Sequence, residues 1–254
     1  MEYKTLKFEK DGPIGVLTLN RPESRNSINF EMRDELTAFW RDRLGDFDTR
    51  VIVLTGAGKG FCSGIDTRES AEKMPAGGYT SKSAYELQKT YSEMILLMRK
   101  VPQPIIGAVN GAAAGGGFSF ALASDVRIVA PEAFFFAAYI NIGLGGADMG
   151  SSWLFTRSVG FANASRYLLT GDRFGAEEAL RMGMVQAVHP REKLMEEAMK
   201  IARTMTEKSP LGLRLTKEAI NCNIGGASLE EAVMLEDRNQ SLLITQLSNP
   251  GSQS

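Results

Sequence analysis

A chain of 254 residues is long enough to bury a sizeable core, and 29 Lys plus Arg against 30 Asp plus Glu leaves no global field to hold nucleic acid or an anionic membrane. Two cysteines, Cys62 and Cys222, are too few for a disulfide framework and lack the short spacing of a zinc site, which fits a reducing compartment. The first residues carry no apolar signal-peptide core and no apolar run reaches membrane-spanning length, so a cytoplasmic protein is expected.

In chain order, residues 15–19 read as a strand, 30–44 as a helix and 51–55 as a second strand, an alternation that points to an α/β fold with parallel crossovers. The glycines of 56–60 invite a nucleotide-binding reading. A P-loop needs Lys and Ser/Thr after its last glycine, however, and Phe61 and Cys62 stand there, while the dinucleotide pattern would put its third glycine at Phe61. These glycines read instead as a turn. Residues 74–83, rich in Gly, Pro and Ser, read as a loop expected to order when ligand binds.

Residues 105–109 are strand-like, and Gly115-Gly116-Gly117 stands between them and the apolar helical run 118–123. Glycines there permit close approach to the backbone. Unpaired amides at a helix start can receive negative charge, although tight helix packing explains the same glycines equally well. Residues 126–130, 134–138 and 184–188 are further strand-like runs. The single histidine, His189, ends the last of these and precedes Pro190, the pattern of a strand-to-helix turn, so neither histidine catalysis nor a histidine metal site is expected. Residues 191–208, 211–224 and 228–245 carry apolar residues at helical spacing, such as Leu194, Ala198, Ile201 and Met205. This divides the chain into a core over 1–190 and a helical region over 191–254.

Four stretches together resemble the crotonase (enoyl-CoA hydratase/isomerase) superfamily. They are Leu19-Asn20-Arg21-Pro22 with Asn26 and Asn29; residues 60–66; Ala108-Val109-Asn110-Gly111 leading to the triple glycine; and Leu169-Thr170-Gly171-Asp172 with Ala176, Ala179 and Gly183. The resemblance implies a spiral of ββα units with a helical trimerisation region, assembled as a trimer or a dimer of trimers. It also implies stabilisation of a thioester enolate, with no cofactor beyond the coenzyme A of the substrate. By position, the oxyanion-hole amides would be those of Ile65 and Gly116. Gly64, Asp66, Thr67 and Arg68 would line the acyl-CoA groove, and Ser24 and Arg25 its pantetheine and phosphate end.

Hydratases of this family place one glutamate two residues after the triple glycine and another in the following segment; this chain has Ser119 and Tyr139 there. A tyrosine with an ordinary pKa near 10 is a poor base at neutral pH. Asp148 is the one carboxylate between Glu132 and Asp172. It either caps the helical run 151–159 or serves as the active-site aspartate that dienoyl-CoA isomerases and ring-epoxide isomerases carry in a similar segment. A single carboxylate suits a double-bond shift, removing a proton from one carbon and returning it to another. Hydration through Asp148 and a water is the alternative, and a non-catalytic acyl-CoA binder is a third reading. Family dehalogenases and decarboxylases typically carry an early histidine, which is missing here. Phe118, Phe120, Phe136, Tyr139 and Met149 suggest an apolar or ring-bearing acyl group, although a buried core would use the same residues. Most relatives continue beyond residue 245 into a further helix that helps close the CoA site, so a more open adenine end is expected here.

Overall fold

The computed structural model describes residues 3–226 and 228–248. Strands β1 (Leu6–Asp11) and β2 (Ile14–Leu19) form an antiparallel hairpin. A short 3₁₀ turn, Pro22–Ser24, leads into α1 (Phe30–Arg43), which Asn29 caps by accepting the Met32 amide at 2.9 Å. Met32, Leu36, Phe39 and Trp40 recur every three or four residues and form its buried face. β3 (Val51–Gly56), α2 (Thr67–Glu72), α3 (Ser81–Lys100) and β4 (Ile105–Val109) follow.

Next come β5 (Ala113–Ala114), α4 (Gly116–Ala123), β6 (Val126–Val129) and β7 (Phe134–Phe136). A 3₁₀ turn over Ala138–Ile142 precedes α5 (Ser151–Val159), α6 (Phe161–Thr170), β8 (Phe174–Gly175), α7 (Ala176–Arg181) and β9 (Ala187–Val188). The chain ends in α8 (Arg191–Thr206), α9 (Pro210–Asn223) and α10 (Leu229–Ser248).

Six strands form one sheet in the order β1-β2-β3-β4-β6-β9, parallel at every pairing after the first hairpin. β5, β7 and β8 make a small second sheet. Helices cover both faces of the large one, which explains the uninterrupted apolar run of β3. Val51 and Val53 join Leu194, Ala198 and Ala202 of α8 on one face, while Ile52 and Leu54 join the larger core with α1, α3 and α4 on the other. Residues 191–206 therefore complete the α/β core, and the helices that stand outside it are α9 and α10.

Two sequence expectations change. The loop placed over 74–83 ends at Thr80, because Thr80 and Ser83 cap each other: the Ser83 amide reaches Thr80 Oγ1 at 3.2 Å and the Thr80 amide reaches Ser83 Oγ at 3.0 Å. The helix so started buries Tyr91, Met94, Ile95 and Met98 on one face. The strand expected over 184–188 shrinks to β9. Its first part is held instead by Arg127, whose Nε donates to the Met184 carbonyl at 2.6 Å and whose backbone amide donates to Gln186 Oε1 at 2.6 Å.

Candidate active site

The segments leaving β3 and β4 meet at the carboxyl ends of the parallel strands, where open α/β sheets form their ligand crevices. The turn after β3 is locked from two sides. Asn26 Nδ2 donates to the carbonyls of Ala57, Gly60 and Phe61 at 2.9–3.1 Å, and Asn110 Nδ2 donates to those of Gly56 and Gly58 at 2.8 and 3.1 Å. The motif asparagines thus act as braces, fixing the chain that runs on to Ile65.

Parallel bridges then join Ile28 to Ile65 and Cys62 to Ala113. In the first, Ile28 donates to the Gly64 carbonyl at 2.8 Å and accepts the Asp66 amide at 2.9 Å, so the N–H of Ile65 itself faces away from the pairing. Gly116 is the first residue of α4, and its amide belongs to the unpaired N-terminal set of a helix. Neither amide has an acceptor among the described residues. Two glycines bring them together. Gly64 has φ +89°, and a Cβ there would stand 2.8 Å from the Ala114 carbonyl oxygen and 3.3 Å from Gly116 N; a Cβ on Gly117 would lie 2.1 Å from the Cys62 carbonyl oxygen. The result is two free donors at the positive end of a wholly buried helix, a geometry able to hold an oxyanion.

Met149 and Ile28 wall this spot, since a Cβ on Gly116 would meet Ile28 Cδ1 at 2.8 Å and Met149 Sδ at 3.3 Å. Met149 has φ +46°, an uncommon backbone state for a side chain of that size, and Asp148 precedes it in the chain. Asp148 does not cap α5: Gly150 occupies the cap position, and the Asp148 carboxylate accepts instead the Met149 amide at 2.6 Å and the side-chain amide of Gln88 from α3. Partial burial raises the Asp148 pKa above its ordinary 3.8, with the Met149 amide pulling the other way.

Beneath Asp148 lies a buried hydroxyl network. Tyr139 Oη donates to Ser151 Oγ at 3.0 Å, Ser151 Oγ accepts the Asp148 amide at 3.1 Å, and Ser119 Oγ lies 3.3 Å from the Asp148 carbonyl. Burial raises the Tyr139 pKa above 10, outweighing the hydrogen bonds from Ser151 and Ser119 that lower it, so Tyr139 keeps its proton. Sequence reasoning picked out Ser119, Tyr139 and Asp148 but missed Gln88 and Ser151. Ser151 had a cue, three residues beyond Asp148 at a helix start; Gln88 had none short of knowing how α3 lies across the sheet.

A groove of about 850 Å³ leads away past Ser24, Arg25, Ile65, Asp66, Thr67 and Arg68. The guanidinium groups of Arg25 and Arg68 are exposed and have no partner among the described residues, whereas Arg21 pairs with Asp66 at 3.0 Å. Asp66 is occupied with the protein's own groups: it also accepts Ser27 Oγ at 2.9 Å and caps α2. Burial pushes its carboxyl up, but Ser27 and Arg21 outweigh that and hold it below the usual range. The aromatic candidates separate as well. Phe118 packs edge-on to Phe155 at 5.1 Å and Phe174 at 6.0 Å, and Phe120 is buried too, so both belong to the core rather than to an acyl pocket. Among the described residues, no helix is long and apolar enough to cross a membrane.

The family model described as enoyl-CoA hydratase/isomerase matches residues 9–253. A probable enoyl-CoA hydratase of Mycobacterium leprae is 37% identical over 237 residues, covering 93% of this chain and 81% of that protein. The 1,2-epoxyphenylacetyl-CoA isomerase of Escherichia coli is 37% identical over 221 residues, with 87% and 82% covered. The crystal structure of a probable enoyl-CoA hydratase/isomerase from Mycobacterium abscessus superposes with a TM-score of 0.87 at 37% identity, over 94% of this chain and 90% of that one. With a parallel sheet carrying two free amides at its carboxyl end, and a match that spans nearly its whole length, the chain belongs to the enoyl-CoA hydratase/isomerase family and has the crotonase fold.

Proposed function

We propose that the protein isomerises a double bond in an acyl-CoA thioester, with Asp148 as the acid/base and the amides of Ile65 and Gly116 as the oxyanion hole. The observation that carries the reading is a single half-buried carboxylate whose chain neighbour Met149 walls the spot where two free amides converge, in surroundings where the other polar side chains are hydroxyls and an amide. The thioester carbonyl accepts both N–H groups. Asp148 removes a proton from the carbon α or γ to it, the enolate charge collects on the carbonyl oxygen, and the same carboxyl returns the proton at the other carbon. No atom is gained or lost. Each amide aimed at the developing charge contributes about 3 kcal/mol of transition-state stabilisation. Coenzyme A lies in the groove, with Ser24 and Thr67 along its course and Arg25 and Arg68 meeting its phosphates.

Hydration remains the second reading, supported by the hydratase names of several relatives and by hydroxyls that a water could join. Product mass separates the two: incubation with 2-enoyl- and 3-enoyl-CoA thioesters should give a product of unchanged mass, and gain of one water overturns isomerisation. Asp148→Asn should lower turnover by about 10²- to 10⁴-fold, the usual loss with a general base, and leave thioester binding within a few-fold. Full activity in that variant removes Asp148 from the mechanism. Because burial raises the Asp148 pKa, wild-type turnover should fall on acidification with a midpoint above 3.8, as the base becomes protonated.

A further inference from the structure

The Asp148 carboxylate is held on one side only. Oδ1 accepts both the Met149 amide and Gln88 Nε2, while Oδ2 has no partner among the described residues. We propose that Gln88, half-buried on α3, is a positioning residue that fixes Asp148 so that Oδ2 alone is presented to the substrate. The inference rests on the reading of Asp148 as the acid/base.

A carboxylate attached through one rotatable bond can exchange its two oxygens; two donors converging on the same oxygen remove that freedom. The Gln88 amide must point its nitrogen at Asp148, because an ionised carboxylate only accepts. Its α3 neighbour Tyr91 is buried in the core, so the side chain is delivered from a fixed platform. Met149 supplies the second donor from a left-handed backbone state, one that persists only where the surroundings enforce it. The choice of an uncharged donor matters as well. A lysine or arginine at 88 would hold the carboxylate so far toward its ionised form that it would take a proton poorly, whereas a carboxylate there would compete for the same proton. Gln88 avoids both. From the elements packed around Asp148, the polar groups are Gln88 of α3, Ser119 of α4, Tyr139 of the 3₁₀ turn and Ser151 of α5; of these only Tyr139 titrates, and it stays protonated.

The test measures kcat and KM against pH for the intact protein and its Gln88→Met and Gln88→Glu variants, on the thioester it turns over fastest. Gln88→Met keeps length and helix propensity and removes the donor. We expect kcat to fall about ten-fold, KM to stay within two-fold, and the acid limb of the kcat profile to move up by about one pH unit, because an unsupported carboxylate binds its proton more tightly. Gln88→Glu should be the worse of the two at neutral pH, down about 100-fold, since two facing carboxylates must share a proton. A residue that merely packs α3 predicts the reverse order, the isosteric Glu being milder, and no movement of the limb. Thermal melts within a few degrees of the parent confirm that the variants are folded; Gln88→Ala replaces any variant that is not. An unchanged kcat and acid limb in Gln88→Met, or a loss expressed in KM alone, overturns the proposal while a dead Asp148→Asn leaves the base assignment standing. An active Asp148→Asn overturns both.

Discussion

At the scale of single residues, the site depends on atoms that are not there. Gly64 combines φ +89° with an Ala114 carbonyl 2.8 Å from where a Cβ would stand, so Gly64→Ala must push Ile65 and its amide out of line. We expect a stability loss of about 2 kcal/mol and a drop of 100-fold or more in kcat/KM, measured by urea unfolding and steady-state kinetics. Near-parental activity would mean that the Ile65 amide is not a donor to the reaction. Gly64, Gly116 and Asp148 stand out in the sequence only through the family resemblance, since the glycines alone read equally as helix packing and the aspartate as a helix cap. Phe118 and Phe120 are not legible, since a large apolar side chain reads alike as pocket lining or core. Asp66 lines the groove as its motif position suggests, but the sequence does not show that Ser27 and Arg21 already occupy its carboxylate.

The elements differ in legibility for a reason of pairing. β3 announces itself by six buried residues in a row, whereas β5, β8 and β9 are two residues long and exist only through distant partners such as Phe135 and Val129. α3 shows helical spacing at Tyr91, Met94, Ile95 and Met98, yet the Gly/Pro/Ser stretch before it obscures where it begins. α9 is tied down at the amino ends of the central strands β4 and β6, the end of the sheet opposite the site. Lys217, only 4% exposed, donates to the carbonyls of Met98 and Gln103 at 3.2 and 2.7 Å and pairs with Asp125, which also binds Arg99 and the Ile105 amide. Burial lowers its pKa from 10.5 to about 8, against the pull of Asp125. Lys217→Met should cost about 2 kcal/mol at neutral pH by leaving two carbonyls without their donor. The sign with pH follows from linkage: because the folded pKa is depressed, the unfolded chain binds the proton more tightly, and wild-type stability gains from this group as pH rises from about 8 to 10.5. The variant should lack that gain in urea titrations compared across this window; an equal pH slope in both proteins would show that Lys217 titrates normally.

For the whole molecule, alternating strand and helix patterns give the α/β core, and covering of both sheet faces follows from runs such as β3. What stays hidden is the outer surface. Trp153, Phe161, Ile220, Ile224, Val233 and Met234 are all exposed, more large apolar surface along α5, α6, α9 and α10 than a lone chain ordinarily carries. We propose that these helices meet other copies, giving a trimer or a dimer of trimers. Light scattering at micromolar protein should return three or six chain masses, and a single-chain mass overturns the assembly.

The proposed oxyanion pair consists of main-chain groups, and this has a consequence for anyone surveying the protein by alanine scanning. Changing Ile65 to alanine removes a side chain and leaves its N–H where the Ile28 bridge puts it. If the proposed mechanism holds, such a scan would register Asp148 and pass silently over the Ile65 donor. Such donors can be reached only indirectly, by crowding the glycines that allow them their place, or by replacing the amide itself with an ester through chemical synthesis.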